Sequence, residues 1–281
     1  MKITVKAQAK INLSLGVCER TASGYHNIET VMQIISLADK VTVERTDGGT
    51  EVFTGDPQID RDPNNTALAA AREFFEYTKI DGGAKIEIEK HIPKAAGLGG
   101  GSADAAAVIN SLDLLYGTGL SDENLRAIAL NVGSDVPFCI SGGTAHAKGQ
   151  GEKLTPLPPL PFCYFVLAIK GQKQSTGEMY RKIDCMTSVK KPDTAEIVSA
   201  IIENRSGIFK LPLVNTFEEL YDSGDVEELK NIFHLHGAET SALSGAGPTV
   251  YGIFTEKELA EKCLEKLKTR CRFSGIFTPE N

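Results

Sequence analysis

The chain has no tryptophan, and aromatic residues make up only 7% of it. That absence excludes little, but others exclude more. Six cysteines occur, at Cys18, Cys139, Cys163, Cys185, Cys263 and Cys271, without a CxxC pair and without a histidine at ligand spacing from two of them. A zinc site and a thioredoxin-like motif are therefore not expected, and a chain of 281 residues needs no disulfide framework. The thiols read as reduced and mostly buried, in a cytoplasmic protein. The longest apolar run, residues 163–169, is too short to span a bilayer, and the first ten residues hold no secretory h-region. No basic cluster exceeds the pair Lys190 and Lys191, and net charge is −7. An acidic balance argues against nucleic acid as a partner, although a small polyanion can still bind where positive potential is focused.

What is present describes an ordinary globular protein, with 41% hydrophobic and 24% charged residues. The length suits one large domain or two moderate ones. Alternating polar and apolar residues predict strands over residues 2–7, 41–44 and 84–90. Helical spacing predicts a helix over 66–77 with Asn65 as N-cap, another over 102–116, and a third opened by Ser121 and closed by Gly133 in C′ position. Pro156, Pro158, Pro159 and Pro161 mark the best boundary, dividing the chain into 1–158 and 159–281. Beyond it, strands are expected over 164–169, 249–254 and 272–278, and helices near 194–202, 226–233 and 256–268. Mixing without strict βαβ alternation favours an α+β fold.

The strongest local signal is the run Pro93-Lys-Ala-Ala-Gly-Leu-Gly-Gly-Gly-Ser-Ala-Asp-Ala-Ala106. Four glycines in five positions admit close backbone approach, and the loop feeds a helix whose first N–H groups and positive dipole end would face an anion. That combination suits phosphate oxygens. It is neither a Walker A loop nor a dinucleotide fingerprint, and taken alone it is also compatible with a plain flexible turn. A second glycine loop, residues 241–250, precedes a predicted strand and by itself reads as a tight turn. Lys10 is placed one turn past the first strand; a surface position is the usual fate of lysine, but Ile11, Leu13 and Leu15 around it read as buried. Asp135, beyond a helix end, could accept a hydrogen bond from a substrate hydroxyl, or simply form a turn.

Taken together and in order, Ala9-Lys-Ile-Asn-Leu13, Gly24-Tyr-His26, the loop from Pro93, residues 133–138 and residues 244–250 resemble the GHMP kinase superfamily, named for galactokinase, homoserine, mevalonate and phosphomevalonate kinases. The resemblance is to the branch acting on a cytidine diphosphate-linked methylerythritol in the non-mevalonate route to isoprenoid precursors. Gln174-Ser-Thr176 with Tyr180, and Asn215, fit that branch as well.

The resemblance implies a two-domain fold, ribosomal protein S5 domain 2-like at the N-terminus and ferredoxin-like at the C-terminus, with the active site in the interdomain cleft. It implies an ATP-dependent kinase using Mg²⁺, acting on a small molecule without nucleic acid or membrane, as a monomer or weak homodimer. ATP would be wrapped by Pro93, Lys94, Ala95, Ala96, Gly97, Leu98, Gly99, Gly100, Gly101, Ser102 and Ala103, with Ser102 near phosphate or metal. Asp135 would be the general base, and Lys10 would assist it and offset developing charge. Tyr25 would stack on cytosine, His26 would read its edge, Asn12 would meet the methylerythritol, and Gly245, Gly247 and Thr249 would complete the phosphate side. No protein metal ligand is assigned. Three departures stand out: Ala22-Ser23 before Gly24, Ala96 where glycine is common, and Ser134 where alanine is common. The rivals are a homoserine- or mevalonate-type kinase, whose substrates offer no base to stack, and a silent ATP-binding sensor of the same fold.

Overall fold

The protein is described from a computed structural model covering residues 1–21, 24–60, 62–205, 207–221 and 224–281. The Ala22-Ser23 departure lies outside the described residues. The chain divides into two compact units. The first comprises Met1–Ala9, Leu37–Lys94 and Gly99–Gly142, and the second Lys10–Ser36, Ala95–Leu98 and Gly143–Asn281.

The first unit holds the start of β1 (Lys2–Arg20) and the end of β2 (His26–Thr46), then β3 (Gly49–Phe53), α1 (Pro57–Asp60), α2 (Thr66–Thr78), β4 (Gly83–Glu89), α3 (Gly100–Tyr116), α4 (Asp122–Val132) and α5 (Val136–Ser141). Strand β2 pairs antiparallel with β4, Lys40 opposite Glu89, and β3 pairs parallel with β4, Gly49 opposite Gly83. Alternation along these strands turns Val41, Val43, Ile86 and Ile88 into the core. Helices α2 and α3 bring Ala70, Ala71, Phe74, Val108, Ile109 and Leu112 to the same core, and small residues let the two helices pack closely. Each such large side chain removed from water contributes about 1.5–3 kcal/mol.

In the second unit, β5 (Thr144–Gly149) pairs antiparallel with the first half of β2, and β6 (Lys153–Leu157) pairs antiparallel with β5. The rest comprises β7 (Tyr164–Ile169), α6 (Thr176–Asp184), α7 (Thr194–Ile202), α8 (Asp225–Leu235), β8 (Thr240–Leu243), β9 (Val250–Phe254), α9 (Lys257–Leu267) and β10 (Phe273–Phe277). Four strands form an antiparallel sheet in the order β10-β7-β9-β8. Phe233 of α8 and Ala260, Cys263 and Leu267 of α9 share a core cluster with Val166, Val250 and Phe254 of that sheet. The α+β expectation holds.

Several sequence expectations need correction. Strand β1 runs for 19 residues rather than stopping near residue 7, so Lys10 lies inside it. Residues 10–17 are all buried, on both faces, and such a strand loses the two-residue alternation by which strands are recognised. Gly133 closes α4 with φ 174°, an extended conformation and not a left-handed cap. Only Cys163 and Cys263 are buried; Cys185 is exposed and the other three are half-buried, although all six are free thiols. Among the described residues no helix is long and apolar enough to cross a membrane.

Candidate active site

In the first unit, the helix α3 that follows the glycine loop starts two residues earlier than expected, at Gly100. Gly99 precedes it at φ 68°, with no side-chain cap and no acidic residue in the first turn. The first ladder bond runs from Ala103 N–H to Gly99 O at 2.8 Å. The N–H groups of Gly100, Gly101 and Ser102 therefore lie ahead of the ladder, at the positive end of a 17-residue helix. Thr66 Oγ1 donates to Gly101 O at 2.8 Å and steadies the turn. Lys94 is paired with Asp56, whose carboxyl its ammonium holds below the ordinary range. Asp135 is half-buried at the start of α5, and its side chain does not cap that helix.

The second unit gathers Lys10, Asn12, residues 95–98 and the second glycine loop. Lys10 is 4% exposed, and its Nζ donates to Asn12 Oδ1 at 2.7 Å while its backbone N–H donates to Leu98 O at 3.0 Å. A surface position for this lysine is thereby excluded. Asn12 Nδ2 donates to Thr30 Oγ1 at 2.9 Å, so both ends of the Asn12 amide are engaged. Ser244 Oγ donates to Gly97 O at 2.9 Å, and Thr249 Oγ1 donates to Ala96 O at 2.6 Å. Gly97 sits at φ +79°, and a Cβ there would collide with the Ser244 carbonyl oxygen, so only glycine serves. Ala95 takes φ +51°, an uncommon value for a residue with a side chain. Asn215, 2% exposed, donates to Leu243 O and Gly245 O, both at 2.8 Å, and Tyr221 donates to Ala246 O at 2.8 Å. Burial pushes the Tyr221 phenol up to about 12, which keeps it a donor. Thr249, given to the phosphate side from sequence, spends its hydroxyl on holding the first loop.

Elsewhere in this unit, Tyr25 is 63% exposed, leaving its ring face accessible. His26 is largely buried, its Nδ1 3.1 Å from Cys18 O and its ring stacked on Tyr180 at 5.1 Å. Its Nε2 stands 2.9 Å from Asp184 Oδ1 without an aligned hydrogen bond.

Sequence reasoning missed the cluster of Lys90, Asp39 and Asp104 in the first unit. Lys90 joins Asp39 and Asp104, and burial pushes the Asp104 carboxyl up to about 7 against the pull of Lys90. Burial would lower Lys90, but the two carboxylates, Asp104 foremost, outweigh it and hold the ammonium above its ordinary range. Asp104 lies within the glycine-loop run and Lys90 just before it, but Asp39 is remote in sequence, so only the pairing of β2 with β4 brings the three together.

Residues 65–143 match the GHMP kinases N terminal domain and residues 223–272 the GHMP kinases C terminal domain. Over 268 residues the chain is 39% identical to the 4-diphosphocytidyl-2-C-methyl-D-erythritol kinase of Clostridium tetani, covering 95% of this chain and 96% of that one. A crystal structure of 4-(cytidine 5'-diphospho)-2C-methyl-D-erythritol kinase is 31% identical with TM-score 0.83, covering 99% of this chain and 100% of the other. Homoserine kinase from Cytophaga hutchinsonii shares the fold alone, at 19% identity and TM-score 0.77, with coverage of 99% and 94%.

Proposed function

The chain belongs to the family of 4-diphosphocytidyl-2-C-methyl-D-erythritol kinases, and from that premise we propose how its residues divide the work of the reaction. It is an ATP-dependent phosphotransferase with an alcohol acceptor. The transfer takes the γ-phosphoryl group of ATP to the 2-hydroxyl of 4-diphosphocytidyl-2-C-methyl-D-erythritol and releases ADP. The supporting observation is the start of α3, where three backbone donors precede the ladder and no side chain occupies them. A half-exposed helix start whose first N–H groups have no side-chain cap is open to an anionic partner, and phosphate oxygens fit it.

Phosphoryl transfer asks the protein mainly for alignment and charge stabilisation. Gly97 to Ser102 hold the triphosphate through backbone N–H groups, Lys94 adds positive charge, and Gly245 and Gly247 let the second loop approach from its own side. Asp135 accepts the acceptor hydroxyl's proton, and the Lys10 ammonium offsets negative charge as it develops on that oxygen. Tyr25, with its exposed ring, stacks on cytosine, and His26 and Asn12 orient the rest of the acceptor. Mg²⁺ accompanies ATP; among the described residues no group of three His, Cys, Asp or Glu side chains is placed to hold a metal. A magnesium ion bound through phosphates and water needs no such cage. The setting is cytoplasmic, and the assembly a monomer or weak homodimer.

The test is ADP release with the diphosphocytidyl substrate, homoserine and mevalonate. Turnover of the first with negligible turnover of the others is expected. Equal turnover of all three, or none with the first, defeats the reading.

A further inference from the structure

One cluster beneath the start of α3 takes no part in the steps above. Lys90 follows β4 and lies at the entry of the glycine loop; Asp104 lies on α3, just past its exit. The Lys90 ammonium reaches Asp104 Oδ2 at 2.6 Å and also pairs with Asp39 of β2. Asp39 is 0% exposed, and its second oxygen accepts from the backbone N–H groups of His91 and Ile92, the latter at 2.8 Å. A Cβ on Gly100 would stand 3.0 Å from Ile92 Cγ2 and 3.6 Å from Lys90 Nζ, so the first residue of α3 rests directly on this cluster. Asp104 is 5% exposed and its Oδ1 has no hydrogen-bond partner among the described residues.

Burying an ammonium between two carboxylates is a poor way to gain stability, since apolar side chains of similar volume do as well or better. An acceptor oxygen left unpartnered makes it poorer still. The arrangement has a geometric consequence that apolar residues would not supply. A single nitrogen is tied to the turn that enters the loop, through Asp39, and to the helix that leaves it, through Asp104. The span between those ties carries the backbone donors proposed for the triphosphate, and donors of that kind work only when held to a fraction of an ångström.

We propose that Lys90 is the positioning residue of the phosphate loop, its ammonium setting the distance between the loop's entry at residues 90–92 and its exit at Asp104. The proposal rests on residues 93–103 being the ATP loop. Lys90 makes no contact with the transferred group in this role; it acts through the loop's shape.

The experiment compares wild type with Lys90→Met, Lys90→Arg and Asp104→Ala. It measures the Kd of a non-hydrolysable ATP analogue by calorimetry, and kcat with separate KM values for ATP and the acceptor. Lys90→Met is expected to raise the analogue's Kd and the KM for ATP about tenfold, with the acceptor's KM within about twofold. Lys90→Arg, which keeps the charge and can bridge both carboxylates, should recover most of that loss. Asp104→Ala cuts only the exit tie and places a strong helix former on α3, so it remains informative if Lys90→Met does not fold; about a fivefold rise in Kd is expected. Folded variants with unchanged Kd, or an acceptor KM rising in step with that of ATP, overturn the proposal. Failure of wild type to phosphorylate the diphosphocytidyl substrate would instead sink the assigned reaction, and the analogue-binding comparison would still decide the role of Lys90.

Discussion

Within the first unit, α2 and α4 begin in one way and α3 and α5 in another. At the start of α2, Asn65 Oδ1 accepts from the N–H groups of Ala67 at 2.9 Å and Leu68 at 3.2 Å. At the start of α4, Ser121 Oγ accepts from Asn124 N–H at 3.3 Å, with Asp122 and Glu123 in the first turn. Helix α3 has no side-chain cap at all. Helix α5 has an aspartate in the cap position, but Asp135 takes φ −84° and ψ −15°, and its carboxylate is not turned onto the helix. A cap is worth about 0.5–2 kcal/mol, a stabilisation that α3 and α5 do without. In this unit α2 and α4 are capped by their own side chains, whereas in the second unit α8 and α9 also begin without a side-chain cap. The starts of α3 and α5, which the proposed reaction uses, have no side-chain cap.

The largest expected effect tests that division at α5. Asp135→Asn removes the proposed base and should lower kcat roughly 10²–10⁴-fold. Near-normal kcat would remove Asp135 from the mechanism. A second effect concerns α3. Asp104 is raised by burial to about 7, so the folded state holds its proton more tightly than the unfolded chain does. Its stabilising contribution is complete below the ordinary carboxyl value and is lost as pH rises through about 7. Relative to Asp104→Asn, wild type should therefore lose stability on the order of 2–4 kcal/mol between pH 4 and pH 8. Urea denaturation of both proteins across that range measures the difference, in which contributions from other carboxylates cancel. Parallel pH profiles would show that the group does not titrate as described.

The caps of α2 and α4 were legible, although the capped helix α6 was not foreseen. Asn65 and Ser121 are short polar residues standing directly before apolar helical spacing, and that local pattern sufficed to place both caps. The glycine run and the resemblance similarly located the loop, Lys10 and Asp135 in sequence. What the sequence did not disclose depends on pairing between distant segments. Lys10 lies within β1 because both strand faces are buried, which hides the alternation. Asn215 and Tyr221 hold the second loop through backbone oxygens, and a backbone acceptor leaves no trace in residue identity. Lys90 finds Asp39 only once β2 and β4 are in register.

The smallest effects sharpen the contrast from the supporting side. Asn65→Ala removes an acceptor for two N–H groups and a donor to Ile59 O at 3.2 Å, in a residue only 8% exposed. A loss of about 1–2 kcal/mol is expected by urea denaturation. Ser121→Ala should cost less, about 0.5–1 kcal/mol, because its single bond is long and the site is exposed, so water replaces part of what is lost. Asp122 and Glu123 remain to complement the helix dipole in that variant. Its kcat and both KM values should match wild type. If Ser121→Ala instead lowered kcat while its unfolding curve stayed in place, a capped start would be serving the reaction, and the contrast of α4 with α3 and α5 would fail.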